Sequence, residues 1–358
     1  MKTILPFFVR YTPIQKLALI NFEKKPDEIY CGLELQYLSG SRYGTGYRII
    51  AYRNDGYVDM YDDNALTFDP NEKCDVAGKG LHKHIRTSLD GVRFEKTGYT
   101  VMLDFEFTDI EGRSICVHIH EQTKRRSTPM NLLAPIGVGS ENPPYLPAFF
   151  LYDFDFVRKN RTKVEIKIDG NKIKLDSFPY PVPMNGQFRY YTRYSMNSLI
   201  FEFLPTDLQA AEVELNENLQ YISDNILYQF KSNGSHVGLA EIELLGERKL
   251  FVNFTPEITL ESCEGKFAIT PNGSMGSIAG EYSVARSGDT VTVKLIPNEG
   301  WKGVPNSFIT KILMSPDSVF CSWCKKYEYN CRINLSNLIS ESEWKNGNLT
   351  QNPAPSGQ

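Results

Sequence analysis

Long apolar runs are missing from this chain. The opening MKTILPFFVRYTPIQ carries a short apolar stretch closed by Arg10. That stretch is too short for a secretory h-region, and nothing elsewhere approaches the roughly 18 or more apolar residues of a helical membrane span. The expectation is therefore a cytoplasmic chain with no transmembrane segment. Helical periodicity is equally scarce. Tryptophan is rare, with 3 residues against 20 Tyr and 21 Phe, an aromatic content of the kind that favours strands and core packing. Neither sign of charge dominates. With 39 basic and 43 acidic residues the formal net charge is -4, which gives no general attraction to a polyanion and argues against nucleic acid as a partner. There is no G-x-x-x-x-G-K-S/T phosphate loop, no G-x-S-x-G elbow and no H-E-x-x-H pair, so those chemistries have no signature here.

Cysteine is present in an odd number, 7, which does not suit a fully bridged secreted protein. Cys31, Cys74, Cys116 and Cys263 stand singly in strand-like contexts and read as small buried hydrophobes. Cys321-Ser-Trp-Cys324 and Cys331 lie closer together. No βαβ pattern and no nearby fourth ligand accompany them, so packing, metal and redox readings stay open.

What the chain does contain is alternation punctuated by turns. In GYRIIAYRNDGYVDMYDD, Gly56 supplies the positive φ of a tight loop, and pairing outward sets Ile50 near Met60 and Arg48 near Asp62, a cross-strand ion pair. In VMLDFEFTDIEGRSICVHIHE, Leu103, Phe105 and Phe107 alternate with polar residues, as do Ile115, Val117 and Ile119 on the returning arm. A loop of Ile110-Glu111-Gly112 brings apolar opposite apolar, and it also places Asp104 opposite His118, Glu106 opposite Cys116 and Met102 opposite His120. A third hairpin turns at Asp169-Gly170-Asn171, and Ser287-Gly288-Asp289 is another turn.

Proline-rich crossings follow at 129–147 and 179–183. Residues 210–230 show weak helical phasing. Beyond them the strand pattern resumes as far as about 335. The expected fold is all-β: two successive antiparallel β-barrel or β-sandwich domains, 25–158 and 160–335, with a frayed polar tail at 336–358.

Four of the five histidines form two H-x-H pairs, His82 with His84 and His118 with His120. On a strand, residues i and i+2 point the same way, so each pair presents two imidazoles on one face. With Asp104 or Glu106 beside them they can hold Zn or Fe, although no cofactor is demanded. The metal-free alternative makes Asp104 and His118 a catalytic pair, the carboxylate orienting an imidazole that serves as general acid or base. In a closed barrel that pair faces a cavity; in a sandwich it faces water. Glu106, His120, His82 and His84, together with Arg189, Tyr191 and Arg193 from the strand QFRYYTRYS, are the expected ligand-binding set. Tyr190, Tyr191, Tyr194 and Trp301 offer an alternative, stacking on sugar rings in a carbohydrate-binding sandwich. The run Lys124-Arg125-Arg126 reads as a solvated turn.

The strand-dense layout, the D-x-E-G-R turn at 109–113, the H-x-H beside Gly78-Lys79-Gly80 and two β halves resemble the tandem lipocalin-like proteins, the AttH-like and carotenoid hydratase-like group. The resemblance spans about 25–335. It implies two calycin-type barrels, a hydrophobic lipid-like or terpenoid-like small-molecule ligand, and in some members hydration, cyclisation or isomerisation at an interdomain pocket. An exposed strand edge leaves a homo-oligomer open.

Overall fold

The structure, a computed structural model, describes residues 1–24, 26–40, 43–67, 75–76, 79–124, 128–135, 146–178, 188–204, 212–234, 236–246 and 248–346. Both proline-rich crossings fall largely outside that set, as do Arg125, Arg126, Cys74 and Gly78.

Strands dominate it. In chain order they are β1 (Lys2–Ile4), β2 (Phe8–Asn21), β3 (Tyr30–Gly40), β4 (Gly44–Arg53), β5 (Val58–Asp63), β6 (Asp75–Val76), β7 (Lys79–Thr87), β8 (Arg93–Thr97), β9 (Thr100–Thr108), β10 (Ser114–Glu121), β11 (Met130–Leu133), β12 (Leu146–Arg158), β13 (Thr162–Ile168), β14 (Asn171–Lys172) and β15 (Arg189–Leu204). They continue with β16 (Glu212–Glu214), β17 (Gln220–Ser223), β18 (Ile226–Ser232), β19 (Val237–Leu244), β20 (Leu250–Ile258), β21 (Cys263–Pro271), β22 (Ser277–Ser287), β23 (Thr290–Lys302), β24 (Tyr327–Asn334) and β25 (Ile339–Asn346). Helices α1 (Phe308–Leu313) and α2 (Val319–Ser322) lie between β23 and β24. No helix among the described residues is long and apolar enough to cross a membrane.

The chain divides into two compact units, and these are not the consecutive halves 25–158 and 160–335. One comprises residues 12–130 and 151–199, the other 1–11, 131–150 and 200–358. The first unit is a sandwich of two sheets. Its smaller sheet has the order β14-β13-β10-β9-β8; the larger runs β12-β15-β2-β3-β4-β5-β7-β6 through the residues belonging to this unit. The ladders β8–β9, β9–β10, β10–β13, β13–β14, β2–β3, β3–β4, β4–β5 and β6–β7 are antiparallel, whereas β5 and β7 are parallel. Alternation decides which side of each sheet is buried: Leu103, Phe105, Val117 and Ile119 of the smaller sheet share one apolar core with Leu33, Leu35, Ile49 and Tyr61 of the larger.

The second unit contains a nine-stranded meander, β17 to β25 in sequence order, and a two-stranded sheet of β1 and β16. Its interior is aromatic. Phe7 is fully buried, with ring centroids 5.4 Å from Phe203, 5.5 Å from Phe254 and 6.2 Å from Tyr329. Residues 212–230, with their weak helical phasing, are strands β16 to β18. Part of the expected frayed tail is also ordered: β25 pairs along its length with β24, and Trp344 packs 5.3 Å from Tyr329.

The barrel expectation is overturned. Among the described residues no ladder joins the two edge strands of any of the three larger sheets, so the sheets are open. The resemblance to tandem lipocalin-like proteins falls with it, because closed barrels are what that resemblance implied.

Candidate metal centre

The hairpin of β9 and β10 adopts the register that its apolar pattern requires. Val117 lies opposite Phe105, and on the other face His118 lies opposite Asp104, Cys116 opposite Glu106 and His120 opposite Met102. Gly112, at φ 79°, closes the loop. Asp109 rigidifies it: one carboxylate oxygen accepts from the backbone N–H of Glu111 at 2.9 Å and of Arg113 at 2.8 Å. Since the apolar face fills the sandwich core, the polar face is the outer face of the five-stranded sheet. It does not line a barrel cavity, which is where the general acid–base reading had placed Asp104 and His118.

On that face the side chains converge. Asp104 Oδ1 is 2.9 Å from His118 Nδ1 and 2.5 Å from His120 Nε2, so one carboxylate oxygen serves two imidazoles. The other nitrogen of His118, Nε2, is 3.0 Å from Cys116 Sγ and 3.5 Å from Glu106 Oε1. Cys116 Sγ completes the row at 3.3 Å from Glu106 Oε1. Side-chain exposure is 15% for Asp104, 37% for His118, 33% for His120 and 65% for Glu106, leaving the row open to solvent. Burial, then the neighbouring Glu106 carboxylate, pushes the Cys116 thiol up to about 11.

Two groups of three donors result, Asp104/His118/His120 and Glu106/Cys116/His118, with the donor atoms of each group within 4.8 Å of one another. For metal–ligand bonds of about 2.0–2.1 Å, tetrahedral donors stand about 3.3 Å apart. The carboxylate–imidazole contacts of the first group are shorter than that, so a metal ion entering there spreads them by less than about an ångström.

The remaining expected site residues lie elsewhere in the same unit. His82 Nδ1 is 2.7 Å from Asp59 Oδ1, and His84 Nε2 is 2.9 Å from Asp62 Oδ2. The first histidine pair therefore serves two separate carboxylates rather than sharing one. Each of those acids has other partners: Asp59 accepts from Tyr30 Oη and Arg53 Nη1, both at 3.0 Å, and Asp62 accepts from Arg48. Arg189 is buried, and burial pulls its guanidinium below the ordinary value while the nearby Asp155 opposes that shift. Close by, Arg158 pairs with Glu121 and, at 3.2 Å, with Asp155, all of them buried. Arg193 lies over the Tyr191 ring at 4.6 Å and donates to Asn21 Oδ1 at 3.2 Å. Arg193 and Tyr191 of β15 thus find partners within the unit.

Of the residues proposed to stack on sugar rings, Tyr190 and Tyr191 are half-buried. Trp301 and Tyr194 are both buried, and the Trp301 indole N–H donates to the Met275 carbonyl at 3.0 Å. Cys321, Cys324 and Cys331 are buried free thiols, and burial pushes Cys324 up to about 12. Among the described residues they join neither metal-capable group.

No protein-family model, curated protein or solved structure matches this chain. Functional argument therefore rests on the site itself. Cys116 is the donor that sequence reasoning passed over as a small hydrophobe. The signal for it was available: the register that set Asp104 against His118 also set Cys116 against Glu106, two residues from His118 on the same face.

Proposed function

We propose that this protein binds a divalent transition metal ion, zinc by its donor chemistry, on the outer face of the five-stranded sheet through Asp104, His118 and His120. The observation that carries the reading is the convergence of two imidazole nitrogens on one carboxylate oxygen, at 2.9 and 2.5 Å. Two imidazoles and a carboxylate suit zinc or ferrous iron, and three protein donors leave a coordination position for water or substrate, unlike the closed four-ligand structural sites. At that position the ion acts as a Lewis acid on a group arriving from solvent. The hydrophobic-ligand reading drew this same hairpin into a barrel cavity; the metal reading replaces it for these residues.

The test uses the full chain, stripped of metal with a chelator, reloaded with zinc and passed through gel filtration before elemental analysis. Retention of zinc at whole-number stoichiometry, with one equivalent lost in an Asp104→Asn/His120→Ala double variant that stays folded by circular dichroism, supports the assignment. Zinc that washes away, or equal retention by the double variant, overturns it.

A further inference from the structure

We infer that His118 is a bridging ligand and that this sheet face holds two metal ions, the second between His118 Nε2, Cys116 Sγ and Glu106 Oε1. The inference rests on the reading above and extends it. The two three-donor groups share one residue, and they reach it through different atoms. Asp104 Oδ1 approaches His118 Nδ1 at 2.9 Å, whereas Cys116 Sγ and Glu106 Oε1 approach His118 Nε2 at 3.0 and 3.5 Å. The lone pairs of an imidazole ring lie in its plane and point away from each other, so ions on the two nitrogens do not compete for one electron pair.

The strand geometry explains why one histidine can serve both groups. Cys116, His118 and His120 are successive residues on one face of β10, and Asp104 and Glu106 are successive residues on the same face of β9. The pleat therefore sets the five donors in a row with His118 at its centre. Their chemistry also differs along the row. One end offers an imidazole and a carboxylate, and the other a thiol and a carboxylate, a softer set that favours zinc over magnesium or calcium.

The flanking strands set cations beside the row: Lys163 of β13 stands opposite His120, and Arg93 of β8 opposite Asp104. On β13, Glu165 stands opposite His118 and Lys167 opposite Cys116. Lys167 Nζ is held by Glu165 Oε1 at 2.5 Å, so its positive charge is met within its own strand. Binding of the second ion releases two protons to water, from the Cys116 thiol and from the remaining ring nitrogen of His118, which becomes an imidazolate. No electron moves and no other reactant is needed.

Cobalt(II) titration of the metal-free full chain tests this, because a thiolate ligand gives cobalt a charge-transfer absorption in the near ultraviolet that nitrogen and oxygen ligands do not. Native mass spectrometry of the same samples counts the ions. The wild type is expected to bind two ions, with the thiolate band accounting for one. Cys116→Ser is expected to bind one ion with no band, and Asp104→Asn/His120→Ala to bind one ion with the band. His118→Ala is expected to weaken both ions at least tenfold. Two ions bound with unchanged affinity by His118→Ala would mean independent sites and would overturn the bridge. A single ion without the band, unaffected by Cys116→Ser, would overturn the second site while leaving the Asp104/His118/His120 reading intact. No bound ion at all would remove both.

Discussion

Arg48 and Asp62 face each other across β4 and β5 and meet at two points, Nε to Oδ1 at 2.6 Å and Nη2 to Oδ2 at 2.8 Å. Both are buried, Asp62 with 0% of its surface exposed. A planar guanidinium matches a carboxylate in this two-point contact, whereas an ammonium cannot reproduce it. Removing one partner leaves the other charged and desolvated. Arg48→Ala is therefore expected to cost about 3–5 kcal/mol, measured as a shift in the urea unfolding midpoint. A loss below about 1 kcal/mol would show that water reaches Asp62 and that the pair is a surface contact in energetic terms.

The same carboxylate makes stability depend on pH. Burial alone would raise its pKa, but the hydrogen bonds from Arg48 and then His84 outweigh burial, so Asp62 titrates below the ordinary carboxylate range. A depressed folded-state value means that the stabilisation is complete above the unfolded pKa of about 3.9 and is lost as pH falls through the folded value. The stability difference between wild type and Asp62→Asn should therefore be level above about pH 5 and shrink below about pH 4. A difference that stays level down to pH 2 would contradict the depressed carboxyl.

In the meander unit, Phe7 is fully buried against Phe203, Phe254 and Tyr329. Phe7→Ala is expected to destabilise by about 3–5 kcal/mol, because the surrounding rings cannot collapse fully into the space. Phe7→Leu, which keeps most of the volume, should cost clearly less. Chemical denaturation of the three proteins side by side gives the comparison, and equal losses for the two variants would show that the ring itself is not what the site requires.

Two glycines make opposite demands. Gly112 has φ 79° with open space where a Cβ would stand, so Gly112→Ala meets only the left-handed backbone penalty of about 1–2 kcal/mol. Gly280, on β22, would place a Cβ 2.0 Å from the Ile296 carbonyl oxygen of the paired β23. Backbone must move to admit it, so Gly280→Ala should lower the thermal midpoint well beyond Gly112→Ala. The reverse order would mean that the β22–β23 bulge relaxes freely.

Much of this molecule is local and could be read from the sequence. Strict alternation over 102–120, a loop ending in Gly112 and the cost of placing acids against Val and Ile left one register for the β9–β10 hairpin, and that register already grouped Asp104, Glu106, Cys116, His118 and His120 on one face. The Arg48–Asp62 pair followed from Gly56 by the same counting. Period-two alternation says that a sheet has two different faces. It does not say whether the sheet closes, since closure depends on hydrogen bonds between edge strands far apart in sequence, and only the tertiary structure showed open sheets and an outward-facing row of donors. Long-range contacts likewise settled that both units are assembled from separated segments, whereas pairing with adjoining strands made most of 212–230 strand and let polar residues 339–346 complete a sheet. Strand pairing supplies hydrogen bonds to any sequence that can lie extended, so weak local preference yielded there to the ladder offered by a neighbour.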